Sequence, residues 1–267
     1  MGALFLTFVT AVLTLGSRQL PRSQALLRPQ IPNKPRIYCR GRISWLGDCG
    51  GSCSMSSSPP SVSGPGSIIL GSKSFTRKLI VEEMGFAPII RSADIDESAI
   101  GDRMSDPSDL VLQLGFAKAE ALLPGLKAEA ARGTLGATIL LTGDQIVVHE
   151  GRILEKPADE DEVRKNVAGY ARSPCRTVGS AVLTDVLTGR QVSGVDTAEI
   201  SFSKIPDTVV TQLCEEGTVL QCAGGLMIEH RLVQPYILKI DGTIDSVMGL
   251  SKPLVLSLLG RLASGSH

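Results

Sequence analysis

Residues 137–157 read ATILLTGDQIVVHEGRILEKP and combine apolar runs with an acid and a lysine. Its first five residues are apolar or β-branched and predict a buried strand. Asp144 follows the end of that strand, which is where open α/β sheets place their ligands. A second apolar run, a turn over 149–152 and a third run lead to Lys156, so a hairpin of this length returns Lys156 towards Asp144. The stretch predicts either an acid and lysine site for a metal-bound phosphate or a solvated turn with ordinary charges.

Composition bounds the class of protein and its partners. The chain has 267 residues, 43% hydrophobic and 20% charged, which is ordinary for one large or two small globular domains. Aromatic residues make up only 4%, so stacking platforms for single-stranded nucleic acid are not indicated. The net charge is zero, but residues 1–65 hold seven Lys or Arg against one acid, which leaves −6 on the remainder. An acidic domain is a poor DNA or RNA binder, so we expect no nucleic-acid partner.

The N-terminal residues 1–65 are predicted to be a disordered extension ahead of a folded domain over 66–267. The apolar run 3–15 is too short to cross a bilayer as a helix, so no membrane partner is expected. Arg-rich, acid-poor sequence to about residue 58 favours an organellar transit peptide over a secretion signal, and 56–66 has the composition of a Ser/Pro/Gly linker. The expected location is the cytoplasm, or a plastid or mitochondrion if the extension is a transit peptide, and Met55 is an alternative start.

The rest of the chain interleaves predicted strands and helices. After a strand over 67–70, residues 71–74 turn into a helix over 75–84 that Ser74 caps. Such a strand, turn and helix N-terminus form an anion site, and Arg77 in the first turn indicates an anionic partner. Further helices are predicted over 107–123, 158–171, 206–217 and 252–262, with a hairpin of 176–187 and 191–202 and a strand over 237–240. Because hairpins occur among them, we predict an α/β fold with a mixed twisted sheet and flanking helices.

Three groups of polar residues are candidates for either a functional site or an ordinary structural or surface role. Asp94, Asp96 and Glu97 put three carboxylates within four residues, which indicates either a solvated loop or a magnesium site. Lys118 lies in an apolar helical stretch, where a lysine often extends to solvent. The only histidines are at positions 149, 230 and 267, in a turn, beside a glycine bend and at the terminus. We interpret them as structural or surface residues, which argues against a Ser-His-Asp hydrolase.

Seven short motifs, in this order, resemble those of the Maf family of nucleoside triphosphate pyrophosphatases. They are LGSKSFTR at 70–77 (family pattern Leu-Ala-Ser-x-Ser-Pro-x-Arg), DIDE at 94–97, AKA at 117–119, GDQIV at 143–147, EKP at 155–157, AGG at 223–225 and MGL at 248–250. The resemblance implies two lobes around a cleft, as in inosine triphosphate pyrophosphatases, and hydrolysis of a nucleoside triphosphate to the monophosphate and diphosphate. It implies a divalent cation, Mg, Mn or Co, and leaves a homodimer open because family members are often dimers.

The resemblance also implies roles for individual residues. Asp144 matches the catalytic acid that activates water at the α-phosphorus. Glu97 matches a carboxylate that serves the metal together with Asp144. The phosphate-handling positions are matched by Ser72, Arg77, Lys118 and Lys156, of which the two lysines are predicted to be catalytic.

Three positions bear on the base of the substrate. Gln145 and Glu229 match the branch of the family that acts on 7-methyl-GTP, whereas the dTTP and UTP branch carries Thr and Gln there. A carboxylate can accept hydrogen bonds from both N1–H and the N2 amine of guanine. Thr76, however, stands where the 7-methyl-GTP branch typically has Trp, and Phe75 replaces the motif proline. A dTTP or UTP house-cleaning enzyme and a nucleotide-binding regulator without turnover stay open as alternatives.

Overall fold

The computed structural model describes residues 66–264, so the predicted extension over 1–65 lies outside the described residues. Within 66–264, eight strands form one mixed sheet and six α-helices flank it. The predicted α/β class with a mixed sheet is confirmed. None of the helices in this part of the chain combines the length and the apolar character that crossing a membrane requires.

The strands are β1 (Ser67–Leu70), β2 (Ala87–Ile90), β3 (Ile139–Thr142), β4 (Gln145–His149), β5 (Arg152–Leu154), β6 (Cys175–Asp185), β7 (Gln191–Phe202) and β8 (Ile237–Asp241). The helices are α1 (Phe75–Glu83), α2 (Pro107–Ala131), α3 (Glu160–Tyr170), α4 (Asp207–Glu215), α5 (Ile244–Val247) and α6 (Lys252–Ser264). Short 3-10 turns lie at Glu97–Ala99, Thr218–Gln221, Ala223–Gly225 and Gln234–Tyr236.

The long strand β6 organises the sheet. Along one edge it pairs antiparallel with β7, which in turn pairs with β8. Along its other edge it pairs antiparallel with β3 and then with β4. Thr142 lies opposite Val182 and Gln145 opposite Gly179, so β3 and β4 keep one register against β6. Gly143 and the residue after it are therefore a local break within one long strand.

The two faces of the sheet are covered differently. Successive side chains of a strand point to opposite faces, and Leu140 packs with α2 while Leu141 packs with α1 and α6. Farther along, Ile146 again packs with α2, whereas Val147 packs with α3 and α4. One long helix thus spans one face, and two separate layers share the other. This division agrees with the predicted two-lobed arrangement.

Helix α2 is longer than predicted. The predicted end at 123 is wrong, because the helix continues through Pro124 to Ala131. A proline inside a helix removes one hydrogen bond and clashes with the preceding turn. Beyond it, however, Leu126 is only 2% exposed and packs in one cluster with Leu140 and Val186. Burial of this apolar side chain keeps the last turns helical despite the proline.

Strand β2 was not predicted at all. It pairs in parallel with β1 and lies at the end of the sheet order. Its second residue, Pro88, cannot donate a ladder hydrogen bond, and proline is tolerated only at such edge positions. The sequence does not indicate this strand, because residues 87–90 become a strand by pairing with β1 rather than by their own propensity.

Candidate active site

A cleft of about 1080 Å³ opens where the two layers on the same face of the sheet meet. It is lined by the nine residues to which the family resemblance gives a role, namely Ser72, Thr76, Arg77, Glu97, Lys118, Asp144, Gln145, Lys156 and Glu229. Of the other two acids in the predicted magnesium cluster, Asp94 lines the cleft and Asp96 does not. Residues spread over more than 150 positions of the sequence therefore share one cavity. Their individual roles stay predictions, but the prediction that they lie together is met by the geometry.

The break between β3 and β4 presents Asp144 to the cleft. A Cβ atom on Gly143 would lie 2.1 Å from the carbonyl oxygen of Ser180, so only glycine allows this close approach. The Asp144 N–H donates to Ser180 Oγ at 3.0 Å, and the Ser180 N–H donates to the Asp144 carbonyl at 2.8 Å. The Gly143 carbonyl instead accepts a hydrogen bond from Arg77 Nη1 at 2.9 Å. The backbone on both sides of the carboxylate is thus held in place.

Lys118 on α2 joins two of the predicted catalytic carboxylates. Its Nζ donates to Asp144 Oδ1 at 2.6 Å and lies 3.1 Å from Glu97 Oε1. Lys118 is only 8% exposed, and a buried ammonium group is stable only with such partners. The Asp144 side chain is 15% exposed and that of Glu97 52%. Asp144 therefore lies at the floor of the cleft and Glu97 at its rim.

The turn predicted ahead of α1 is present, and its binding of an anion stays a prediction. Ser74 is the N-cap as predicted, and its Oγ accepts from the Arg77 N–H at 3.4 Å. The Ser74 N–H in turn donates to Ser72 Oγ at 3.1 Å. The guanidinium of Arg77 donates to the carbonyls of Gly249 and Gly143, each at 2.9 Å. Arg77 thus ties the turn to the strand break, and its remaining nitrogen, Nη2, has no hydrogen-bond partner within residues 66–264.

Strands β4 and β5 form the predicted hairpin. Its turn is made by Glu150 with φ 49° and Gly151 with φ 74°, a left-handed pair that suits a tight hairpin. Lys156 follows β5 and lines the same cleft as Asp144, so the predicted return is confirmed. Of the cations that line the cleft, Lys73 and Lys156 form no ion pair or hydrogen bond with another residue of 66–264, while the others do.

The three residues predicted to bear on the base differ in how they are held. Gln145 Nε2 donates to the carbonyls of Ser246 at 2.7 Å and Val247 at 3.1 Å, which leaves its Oε1 as the free polar atom. Thr76 Oγ1 shares a 2.9 Å hydrogen bond with the hydroxyl of the N-cap serine. Glu229 is half-buried. In the part of the chain that the structure describes, its carboxylate has neither a hydrogen-bond nor an ion-pair partner.

The structure adds an apolar wall that the sequence analysis missed. Tyr170, Cys175, Ile200 and Phe202 are buried and line the same cleft. The Tyr170 hydroxyl donates to the Gly224 carbonyl at 2.6 Å. Burial raises the pKa of Tyr170, and burial raises the pKa of Cys175 to about 12, so both stay neutral at physiological pH. Alternation along β6 and β7 places two of them on one face, but no sequence signal says that the cleft opens there.

The pKa of the Cys222 thiol is affected by two charged groups in this part of the cleft. Burial raises the pKa of its thiol, the Glu229 carboxylate raises it further, and Lys156 lowers it. Cys222, Glu229 and Lys156 are therefore within electrostatic reach of one another. A carboxylate and a cation face the same region of the cavity from two different segments.

The histidines have the structural roles that the sequence predicts. His149 is 7% exposed and its Nε2 shares a 2.9 Å hydrogen bond with Ser173 Oγ. His230 Nε2 lies 2.8 Å from Glu216 Oε2. Neither of the two lines the cleft, and His267 lies outside the described residues.

The carboxylates fit a divalent cation only in part. Among residues 66–264, no three His, Cys, Asp or Glu side chains come together as a metal cage. Asp144 and Glu97, however, already converge on one positive group, the Lys118 ammonium. Magnesium is commonly held by one or two carboxylates together with substrate phosphates and water. The donor set therefore fits an ion shared with a phosphate substrate and does not fit an all-protein site.

Known proteins match the same part of the chain that the structure describes. Residues 67–262 match the Maf-like protein family. The chain is 37% identical over 196 residues to the 7-methyl-GTP pyrophosphatase of Dictyostelium discoideum, covering 73% of this chain and 97% of that protein. It is 30% identical over 196 residues to the nucleoside triphosphate pyrophosphatase of Salinispora tropica, covering 73% and 83%.

A solved structure is also similar in part. The dITP/XTP pyrophosphatase of Mycobacterium abscessus aligns with a TM-score of 0.35 and 11% identity, covering 74% of this chain and 94% of that one. The family match spans nearly the whole described region and includes the nine predicted site residues that line the cleft. The chain therefore belongs to the Maf-like protein family.

Proposed function

We propose that residues 66–264 form a pyrophosphatase that hydrolyses a nucleoside triphosphate to the monophosphate and diphosphate. The observation that carries the proposal is the group of Asp144, Lys118 and Glu97 at the floor and rim of a cleft large enough for a nucleotide. The 37% identity to a 7-methyl-GTP pyrophosphatase supports the same reaction.

Asp144 is the proposed general base. Its Oδ1 is bound to Lys118, and its Oδ2 has no partner within the described chain, so Oδ2 is the atom that would take the proton of the attacking water. The water oxygen forms the new bond to the α-phosphorus. The bond from that phosphorus to the oxygen bridging the β-phosphate breaks, and the electron pair leaves with the diphosphate. General-base catalysis of this kind contributes about 10²–10⁴-fold in rate.

Cations of the cleft would offset the charge that moves onto the leaving diphosphate. Lys73 and Lys156 have no partner among the described residues, so binding them to phosphate costs no existing contact. Ser72 and Arg77 lie at the N-terminus of α1, whose backbone N–H groups favour an anion. Fixed positive groups that face developing negative charge stabilise the transition state.

A divalent ion, Mg, Mn or Co, is the proposed cofactor. Asp144 and Glu97 are the residues that would hold it, together with phosphate oxygens of the substrate. When bound, such an ion supplies Lewis-acid stabilisation of phosphoryl charge. The family resemblance also motivates a homodimer, which remains a proposal.

The proposed substrate is 7-methyl-GTP. Support comes from Glu229, a half-buried carboxylate in the cleft without a protein partner in the described region. Such a group can accept both edge donors of guanine, and its charge favours a cationic methylated base. The apolar wall of the cleft would bury the faces of the base. Uracil and thymine offer no comparable pair of donors.

Diphosphate release from purified residues 66–267 tests the proposal. The panel comprises 7-methyl-GTP, GTP, UTP, dTTP, dITP and ATP, each with Mg, Mn, Co or EDTA, and Asp144→Asn is assayed alongside the wild type. We expect the highest kcat/KM with 7-methyl-GTP, the nucleoside monophosphate as the second product, and no turnover in EDTA.

Three other outcomes decide against parts of the proposal. A preference for UTP or dTTP would assign a house-cleaning role and remove the base assignment. Nucleotide binding without turnover under every metal condition would indicate a regulator. Equal rates for wild type and Asp144→Asn would remove Asp144 from the mechanism.

A further inference from the structure

Arg103 organises the loop that carries Glu97. Its guanidinium donates to the carbonyls of Glu97 at 2.8 Å, Gly101 at 3.4 Å and Ile100. Three carbonyl oxygens of one irregular segment therefore converge on a single side chain. Arg103 lines the cleft and its side chain is 26% exposed, so it acts at the cleft wall itself.

The same guanidinium connects this loop to a second segment of the cleft. Arg103 Nε and Nη2 donate to Glu155 Oε1 at 3.3 and 3.1 Å. Glu155 directly precedes Lys156, and its own carbonyl accepts the N–H of Gly224 at 2.9 Å. Glu155 thus joins the segment carrying Lys156 both to the Glu97 loop and to the glycine bend ahead of Glu229.

Little else in the described structure holds the Glu97 loop. The 3-10 turn Glu97–Ala99 is three residues long and none of its residues is buried. Its other contacts are the Asp96 cap on Ser98, the ion pair of Glu97 with Lys118, and the adjoining Ile100, which packs partly buried against the apolar cluster that contains Leu110. Apolar packing thus holds the loop at Ile100 but buries no residue of the turn that carries Glu97. The reach of the Glu97 carboxylate to Lys118 depends on hydrogen bonds, and those to Arg103 are the most numerous.

We propose that Arg103 and Glu155 form a positioning latch that fixes Glu97 and Lys156 relative to each other. The inference rests on the proposed function, because it assigns to these two residues the task of aligning groups that act on a nucleoside triphosphate. Arg103 and Glu155 act through their neighbours and are positioning residues. The substrate touches Glu97 and Lys156.

The latch predicts an effect on rate that exceeds the effect on stability. The side chain of Glu155 is 55% exposed, and exposed ion pairs contribute little to global stability. Small displacements of catalytic groups, in contrast, cost rates of up to about a hundredfold. Loss of the pair should therefore lower kcat while the melting temperature hardly changes.

The test uses Arg103→Ala, Glu155→Ala, the double variant and Glu155→Gln. The matched control is the Arg91–Glu129 pair, which has the same 3.1 Å separation with side chains 39% and 26% exposed, and neither of its residues lines the cleft. Arg103→Ala and Glu155→Ala should each lose about ten- to a hundredfold in kcat, with KM changed less than about threefold. The double variant should lose no more than the worse single variant. Glu155→Gln should recover most of the rate because its amide oxygen still accepts from Arg103, and Arg91→Ala and Glu129→Ala should match wild type.

A second measurement does not depend on activity. Amide hydrogen exchange of the free protein should speed up over residues 97–103 in both Arg103→Ala and Glu155→Ala, because each removes the restraint on that loop. Exchange in this segment should stay unchanged in Arg91→Ala. The loop can thus be followed whether or not a substrate has been found.

Several results would overturn the latch. One is unchanged exchange over 97–103 in Glu155→Ala, which would show that Glu155 does not hold the loop. Another is additive loss of kcat in the double variant. A third is a raised KM in Arg103→Ala together with a normal or lowered KM in Glu155→Ala. That pair of results would make Arg103 a ligand of the substrate phosphates, and Glu155 would only reduce its access to them. Failure of the wild type to hydrolyse any nucleotide would instead contradict the proposed function and leave the exchange test to decide the latch.

Discussion

The floor of the cleft is formed by the break between β3 and β4 and by Lys118 of helix α2. The far wall, by which we mean the irregular chain between α4 and β8, carries Glu229. At the floor, Gly143 fits against Ser180 so closely that no Cβ is possible, and Lys118 is buried between two acids. On the far wall, Glu229 is half-buried and its side chain has no hydrogen-bond partner among the described residues. The floor restrains its proposed catalytic groups through many contacts, and the wall leaves its proposed base-reading group free. Substitutions on the two sides should therefore fail in different ways.

The largest effect is expected for Asp144→Asn at the floor. The amide keeps the size of the side chain but cannot take a proton from water. It also removes the ion pair between residue 144 and Lys118. We expect kcat to fall about 10²–10⁴-fold, while the fold stays intact because Lys118 keeps Glu97 as an ion-pair partner. The measurement is steady-state diphosphate release together with thermal unfolding of the same preparation. A variant that retains more than half of the wild-type kcat would show that Asp144 is not the base.

Gly143→Ala tests whether the floor depends on the strand break. The added methyl would lie 2.1 Å from the Ser180 carbonyl, so the backbone must shift and carry Asp144 with it. We expect a loss of about 1–3 kcal/mol in the free energy of unfolding and up to about a hundredfold in kcat. Denaturant unfolding and kinetics measure the two losses.

The matched control for this substitution lies in the same molecule. A Cβ on Gly125, inside α2, would meet nothing within 4 Å. Gly125→Ala should therefore stabilise the protein by about 0.5–1 kcal/mol and leave kcat unchanged. If Gly143→Ala behaved like Gly125→Ala, the contrast between a rigid floor and a freer wall would be lost.

Glu229→Gln tests the far wall. Glutamine presents one acceptor and one donor where glutamate presents two acceptors, so one hydrogen bond to guanine becomes a clash of donors. Charge-assisted hydrogen bonds contribute about 1.5–3 kcal/mol, so kcat/KM for 7-methyl-GTP should fall by about one to two orders of magnitude. Activity on UTP or dTTP should hold steady or rise. Equal losses on purine and pyrimidine substrates would show that Glu229 does not read the base.

The smallest effect is expected for Lys73→Gln, at the edge between floor and solvent. Lys73 is exposed and has no partner in the described chain, so its contribution to binding phosphate is that of a surface charge. We expect a two- to fivefold rise in KM, which corresponds to about 0.4–1 kcal/mol, with kcat unchanged. Lys78→Gln is the control, since Lys78 pairs with Glu82 and does not line the cleft. Identical KM values for both variants would exclude Lys73 from the phosphate site.

Much of the architecture was predictable because it depends on local pattern. The apolar alternation of 176–187 and 191–202 predicted the hairpin of β6 and β7, and Ser74 predicted the start of α1. Two elements were not predictable in this way. Pro124 indicated a helix end that the burial of Leu126 overrides, and β2 exists because β1 offers it a partner.

The predicted site residues came from the family resemblance without reference to the fold, and the structure places them in one cleft. The sequence by itself did not determine how they are held. Tertiary structure decided that Lys118 is buried between Asp144 and Glu97 instead of extending to solvent. It also decided that Arg77 binds carbonyls 66 and 172 residues away, and that Arg103 meets Glu155 across 52 residues. The physical reason is the distance along the chain over which each effect acts. Propensity and hydrophobic period act over a few residues, whereas these contacts arise only when the whole sheet has brought distant segments together.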